Sequence, residues 1–103
     1  MHDAERSDVL RALAEPLRRR IIAELLPSGM NVGTIAQRVG VQQYQVSKHL
    51  LVLRKAKIVE SVAAGKIRTY SIVPELRSGL LQKVPVLDFG WCTIQVDGFI
   101  RER

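Results

Sequence analysis

The chain has 103 residues and is poor in cysteine, histidine and aromatic rings, with one Cys, two His, two Tyr, two Phe and one Trp. Each scarcity closes off a kind of chemistry. Cys92 stands alone, so no internal disulfide can form and a reducing compartment fits. Zinc asks for about four Cys, His or carboxylate ligands, so a typical metal site is not expected. So few rings leave no stacking platform of the kind that holds single-stranded RNA. No apolar run approaches the ~20 residues needed to span a bilayer. The start, Met1-His2-Asp3-Ala4-Glu5, carries acids and no apolar stretch, unlike a signal peptide. The expected location is therefore the cytoplasm, with no membrane partner. There is no Gly-x-Ser-x-Gly, glycine-rich phosphate loop or His-Glu-x-x-His. The carboxylates are scattered, so neither catalysis nor a cofactor is expected.

What the chain does have is positive charge in one place. The net charge is +6. From residue 1 to 29 acids and bases cancel, and from 74 to 103 they cancel again. The stretch between holds Arg38, Lys48, Arg54, Lys55, Lys57, Lys66 and Arg68 against Glu60 alone. A charge confined in this way favours a dedicated anion-binding surface over a generally basic protein.

The apolar spacing predicts four helices. The first covers about Asp3 to Ala14, with Val9, Leu10 and Leu13 on one side. The second starts at Pro16, where a missing N–H costs nothing. It runs to about Leu26 on a stripe of Leu17, Ile21, Ile22 and Leu25. A short third helix spans Val32 to Val39, with Ile35, Ala36 and Val39 inward and Gly40 as its terminator. The fourth covers about Gln43 to Ala56 and buries Val46, Leu50 and Leu53. Two strands, Ile58 to Ala63 and Lys66 to Val73, follow with a turn at Ala64-Gly65. A short helix is expected over Pro74 to Leu81. Cys92, Ile94 and Val96 then alternate as a strand, with Leu87, Phe89 and Trp91 in the opposite parity and Gly90 as a bulge between them. The expected class is mainly α with a small hairpin (α+β), a winged helix-turn-helix with an extra C-terminal strand. It forms one domain over 1–103, with a recognition region over about 32–73 and a dimerisation or packing segment over about 74–103.

A short helix, a glycine turn and a second helix match a helix-turn-helix. There the second helix enters the major groove of duplex DNA and its N-terminal residues reach base edges. Gln42, Gln43, Tyr44, Gln45, Ser47 and Lys48 would supply that polar surface, since glutamine can pair with adenine and lysine can reach guanine or phosphate. A solvated helix face would look the same in isolation. The hairpin adds weight, because Lys66 and Arg68 flank Gly65 where phosphates or a minor groove would lie. Arg54 belongs to the same basic set. His49 is read as packing its helix or touching phosphate. A winged helix that binds only protein is the competing reading.

The stretch Gly40-Val41-Gln42-Gln43-Tyr44-Gln45-Val46-Ser47-Lys48-His49-Leu50 and onward to Val59 resembles the recognition region of ArsR/SmtB-type winged-helix repressors. Upstream, Leu13-Ala14-Glu15-Pro16-Leu17-Arg18-Arg19-Arg20 is similar to that family's Leu-Ala-Asp-Pro-Thr-Arg-Arg pattern. Downstream, Gly65-Lys66-Ile67-Arg68-Thr69-Tyr70 is similar to its wing. The resemblance implies a homodimer that occupies a palindromic operator on double-stranded DNA and blocks transcription. It departs from the family at Gln42, where a serine often caps the recognition helix, and glutamine is a poor N-cap. The family's metal-sensing positions are also bare. Residues 28–33 hold no thiolate or imidazole, and no histidine follows His49.

If there is an effector, it is an unknown small molecule or a redox signal. Cys92 is the one candidate thiol, and a buried packing role competes with it. Leu87 to Cys92 is similar to the tails of members that end in a strand instead of a long dimerisation helix. Phe89 and Trp91 could fill the core, anchor a dimer or line an effector pocket.

Overall fold

The computed structural model describes the backbone of residues 3–77, 86–95 and 100–102, and side chains over 5–77 and 87–95. Four helices come first: α1 (Asp3–Leu13), α2 (Pro16–Leu25), α3 (Val32–Val39) and α4 (Gln43–Lys55). A hairpin of β1 (Val59–Ala64) and β2 (Ile67–Ile72) follows, then one 3-10 turn at Pro74–Leu76. A second, three-stranded sheet is built from β3 (Val86–Asp88), β4 (Cys92–Gln95) and β5 (Ile100–Glu102), in the order β3-β4-β5.

The helices end where backbone chemistry stops them. Asn31 caps α3, its side chain accepting from the Thr34 N–H at 2.8 Å. Gly40 closes it with φ 75°, in the left-handed region that suits glycine. Helix α4 ends in a Schellman motif. The Ile58 N–H donates to the Leu53 carbonyl and the Lys57 N–H to the Arg54 carbonyl, both at 2.9 Å. Lys57 takes the left-handed position, φ 63°, which glycine usually fills. Leu53 and Ile58, the apolar pair of that motif, are fully buried.

Three consecutive arginines act as caps from α2. Arg18 donates to the carbonyls of Ala12 and Arg11, and Arg19 donates to that of Leu13 at 2.7 Å. Arg20 donates to the Val39 carbonyl at 2.9 Å. Arg77 does the same for α2, donating to the Leu26 carbonyl at 2.7 Å. These groups satisfy orphan carbonyls and place positive charge at the negative ends of the helices.

The core joins all four helices to both sheets. Val9, Leu13, Ile21, Leu25, Ile35, Leu50, Leu53, Ile58, Ile72, Leu87 and Ile94 belong to one buried cluster. Leu17, expected in the stripe of α2, is only partly buried against it. In the wing, the register pairs Val59 with Ile72, Ser61 with Tyr70 and Ala63 with Arg68. Strand side chains alternate, so these six share the face whose inner end, Val59 and Ile72, is buried. Val62 and Ile67 lie on the outer face, both exposed.

Several expectations need correction. The wing turn falls at Gly65-Lys66, one residue later than expected, because Ala64 pairs with Ile67. Gly65 takes φ 63° as the first of two loop residues, as a type II′ turn requires. Gly90 is not a bulge. It has φ 85° and opens a second tight turn, closed by the Phe89 N–H donating to the Cys92 carbonyl at 3.0 Å. The parity of Leu87 and Phe89 differs from that of Cys92 and Ile94 because two antiparallel strands carry them. The helix expected over Pro74 to Leu81 is a single 3-10 turn, and residues 78–81 lie outside the described residues, as do Val96 and Asp97. The C-terminal strand is one of three. Met30 also bridges Tyr70, placing a third backbone segment against β2. Gly29 allows that approach, since a Cβ there would sit 2.9 Å from the Tyr70 carbonyl oxygen.

Candidate nucleic-acid interface

Helix α4 is divided lengthwise. At 3.6 residues per turn, Val46, Leu50 and Leu53 fall on one side and are buried. Tyr44, Lys48, Leu51 and Lys55 run along the other and are exposed, with Tyr44 62% exposed. Gln43, Ser47 and Arg54 form an adjoining exposed row. Gln42 is the exposed N-cap, so the helix starts where its pattern says despite the poor capping residue. Gln45 compensates: its side-chain oxygen accepts from the Gln42 backbone N–H at 3.3 Å, the reciprocal half of a capping box. That contact occupies one end of the Gln45 amide and leaves it half-buried.

His49 sits on the flank of α4 turned toward α2. It is half-buried, with Nδ1 3.1 Å from Nη1 of Arg18. Burial and the Arg18 charge, with a smaller push from Lys48, hold its pKa below the usual 6.5, while Glu15 pulls the other way. The Arg18 contact is the packing role expected of it.

An open groove lies between α3 and the start of α4, lined in part by Thr34, Gln37, Gln42, Gln43 and Gln45. Thr34 and Gln37 were not expected here, because the apolar pattern of α3 marks only its inward face. Their signal was the polar side of that helix. In the wing, Lys66 is exposed at the turn and Arg68 is exposed on β2, with Nη1 donating to Ser61 Oγ at 2.9 Å. That cross-strand bond steadies the guanidinium along the hairpin. The other bases of the central stretch are exposed too, and of these bases, among the described residues, only Arg38 is in an ion pair, 3.7 Å from Glu24.

Cys92 lies apart from these residues. It is 0% exposed within β4. A reactive thiol needs access, so its placement is that of a small core residue. Phe89 and Trp91 are half-buried against the core, their rings 6.1 Å apart. The Arg6 guanidinium stands 5.4 Å over the Trp91 ring, which ties the second sheet to α1. Among the described residues no three His, Cys, Asp or Glu side chains gather as a metal site, and no helix is long and apolar enough to cross a membrane.

Comparison with known proteins agrees with this geometry. A family model described as a helix-turn-helix domain matches residues 13–62. The chain is 36% identical over 80 residues to the HTH-type transcriptional regulator Rv2034 of Mycobacterium tuberculosis, covering 78% of this chain and 72% of that one. It is 29% identical over 66 residues to the transcriptional repressor SdpR of Bacillus subtilis, covering 64% and 73%. Among solved structures, it is similar to the homodimeric winged helix-turn-helix DNA-binding domain Mb0332 of Mycobacterium bovis, a possible ArsR-family transcriptional regulator. The TM-score is 0.65 at 28% identity, over 67% of this chain and 64% of that one. With the fold, the order of its elements and these relatives together, the chain belongs to the ArsR-type family of winged helix-turn-helix transcriptional regulators.

Proposed function

We propose that the protein is a homodimeric repressor that binds a palindromic site on double-stranded DNA, with α4 in the major groove and the wing against the neighbouring backbone. The observation that carries this is the division of α4. Its apolar side is consumed by the core, while Gln42, Gln43, Tyr44, Ser47 and Lys48 stand exposed at its N-terminal half. That is the end which meets base edges in a helix-turn-helix. Gln43 and the amide nitrogen of Gln45 read bases, and Tyr44 and Ser47 line the groove wall. Lys48, Arg54, Lys66 and Arg68 meet phosphate. Thr34 and Gln37 on α3 add backbone contacts, because the first helix of the motif crosses the phosphates. His49 acts from behind this surface. The chain works as one domain over 1–103, with the segment after Pro74 packing the protomer and contributing to the dimer, in a cytoplasmic setting and without catalysis. The two recognition helices of a dimer then stand about one DNA turn, ~34 Å, apart.

The test is selection of duplexes from a random library with the purified protein, followed by binding to the recovered site over a salt series. A palindromic consensus and a steep fall of log K with log salt are expected. No enrichment, or binding indifferent to salt, would transfer the protein to the class of winged helices that contact only protein.

A further inference from the structure

We infer that Arg18 is a positioning residue that ties the recognition helix to the end of α1, and that its hold lasts only while His49 is unprotonated. This rests on the reading of α4 as the DNA-contacting helix. One guanidinium makes three contacts at once. Nε and Nη2 donate to the carbonyls of Ala12 and Arg11 at the end of α1, and Nη1 reaches Nδ1 of His49, 3.1 Å away on α4. Arginine has donors only and stays charged. The contact to His49 is therefore a hydrogen bond only when Nδ1 offers its lone pair, which puts the ring proton on Nε2.

The strut supplies something the core does not. Val46, Leu50 and Leu53 hold α4 by apolar contact, which is non-directional. The planar fork of Arg18 is directional, and it grips α4 near its midpoint, one residue from the exposed Lys48. A fixed rotation of α4 about its axis is what aims the polar row at base edges.

A second proton on His49 turns the acceptor into a donor and sets two cations face to face. The charged groups around the ring are Arg18 from α2, Glu15 from the junction before α2, and Lys48 on its own helix. Burial and the two cations oppose the proton, and Glu15 favours it. Because the folded pKa lies below 6.5, the strut is intact above that pH and is lost as pH falls through the folded value. An ordinary histidine beside DNA behaves in the opposite sense, since its protonation adds charge and tightens binding.

That difference of sign is the test. Affinity for the selected duplex is measured at constant ionic strength from about pH 7.5 to about 5, the range in which histidine titrates. Wild type is expected to weaken by up to about a hundredfold per pH unit below the folded pKa, because a dimer carries His49 twice. His49→Asn places an amide oxygen where Nδ1 was, an acceptor that does not titrate, so it should bind like wild type at the upper pH and lose the acid-side weakening. In parallel, NMR of the protein without DNA should show the Nε2–H tautomer at His49, and its pKa should rise in Arg18→Gln. Tighter or constant wild-type binding in acid overturns the proposal. So does a His49→Asn protein that keeps the pH dependence, or a ring protonated at Nδ1 when neutral. Should His49→Asn fail to fold, the wild-type titration and the ring tautomer decide. Should selection yield no duplex, the DNA-binding reading fails, and the ring measurements still judge the strut.

Discussion

Lys48→Ala offers a quantitative probe of the interface. Lys48 is exposed on the outer row of α4, so its loss should change folding stability by less than about 0.5 kcal/mol. Its effect on DNA binding should be of a different order. Each phosphate contact contributes about −0.9 to the slope of log K against log salt. A symmetric dimer presents Lys48 twice, so the variant should show a slope shallower by about 1.8. At about 0.1 M salt that is at most ~1.8 log units, roughly sixtyfold weaker binding, and the loss should shrink as salt rises. Fluorescence anisotropy with a labelled duplex over a salt series, beside thermal melts of both proteins, gives slope and stability together. An unchanged slope would mean that Lys48 does not meet phosphate. A slope change accompanied by a large fall in melting temperature would mean that the residue supports the fold instead. Arg68→Ala should behave alike, since its guanidinium is held across the hairpin by Ser61.

Gln45→Ala should alter sequence preference and also loosen the start of α4, by about 0.5 kcal/mol. Gln45→Glu keeps the acceptor for the Gln42 N–H but lacks the amide donor, so preference should shift while stability holds. A base preference identical to wild type across a duplex library would remove Gln45 from the reading surface. Lys57→Gly should stabilise by up to about 1 kcal/mol, because Lys57 stands at φ 63° in the Schellman turn. Lys57→Val should destabilise by about 1 kcal/mol or more in urea titrations, and the reverse order would contradict the left-handed turn. Gly29→Ala should cost about 1–3 kcal/mol, since its Cβ would press on the Tyr70 carbonyl oxygen at 2.9 Å. A wild-type urea midpoint would mean that the Met30–Tyr70 bridge is not as close as described.

Local information determined most of this protein's architecture. The apolar period placed α1 to α4 to within a residue or two, and Gly40 ended α3 as its position implies. The buried side of α4 was legible because its neighbours at i+4 and i+7 share one face of a helix. The segregated charge pointed to an anionic partner, because net charge survives any folding of the chain. Tertiary structure decided what depends on residues distant in sequence. Arg18, Arg19 and Arg20 were legible as charges and as part of the family's pattern, and their capping role came only when the fold set them against the ends of other helices. Gly29 gained a role once Tyr70 came beside it. His49 was legible as a residue that packs its helix or touches phosphate, and only the fold brought it to a guanidinium 31 residues away in the chain. Gly90 illustrates the reason most simply. A parity change along a strand can be a bulge or a reversal of the chain, and only the partner strand tells which.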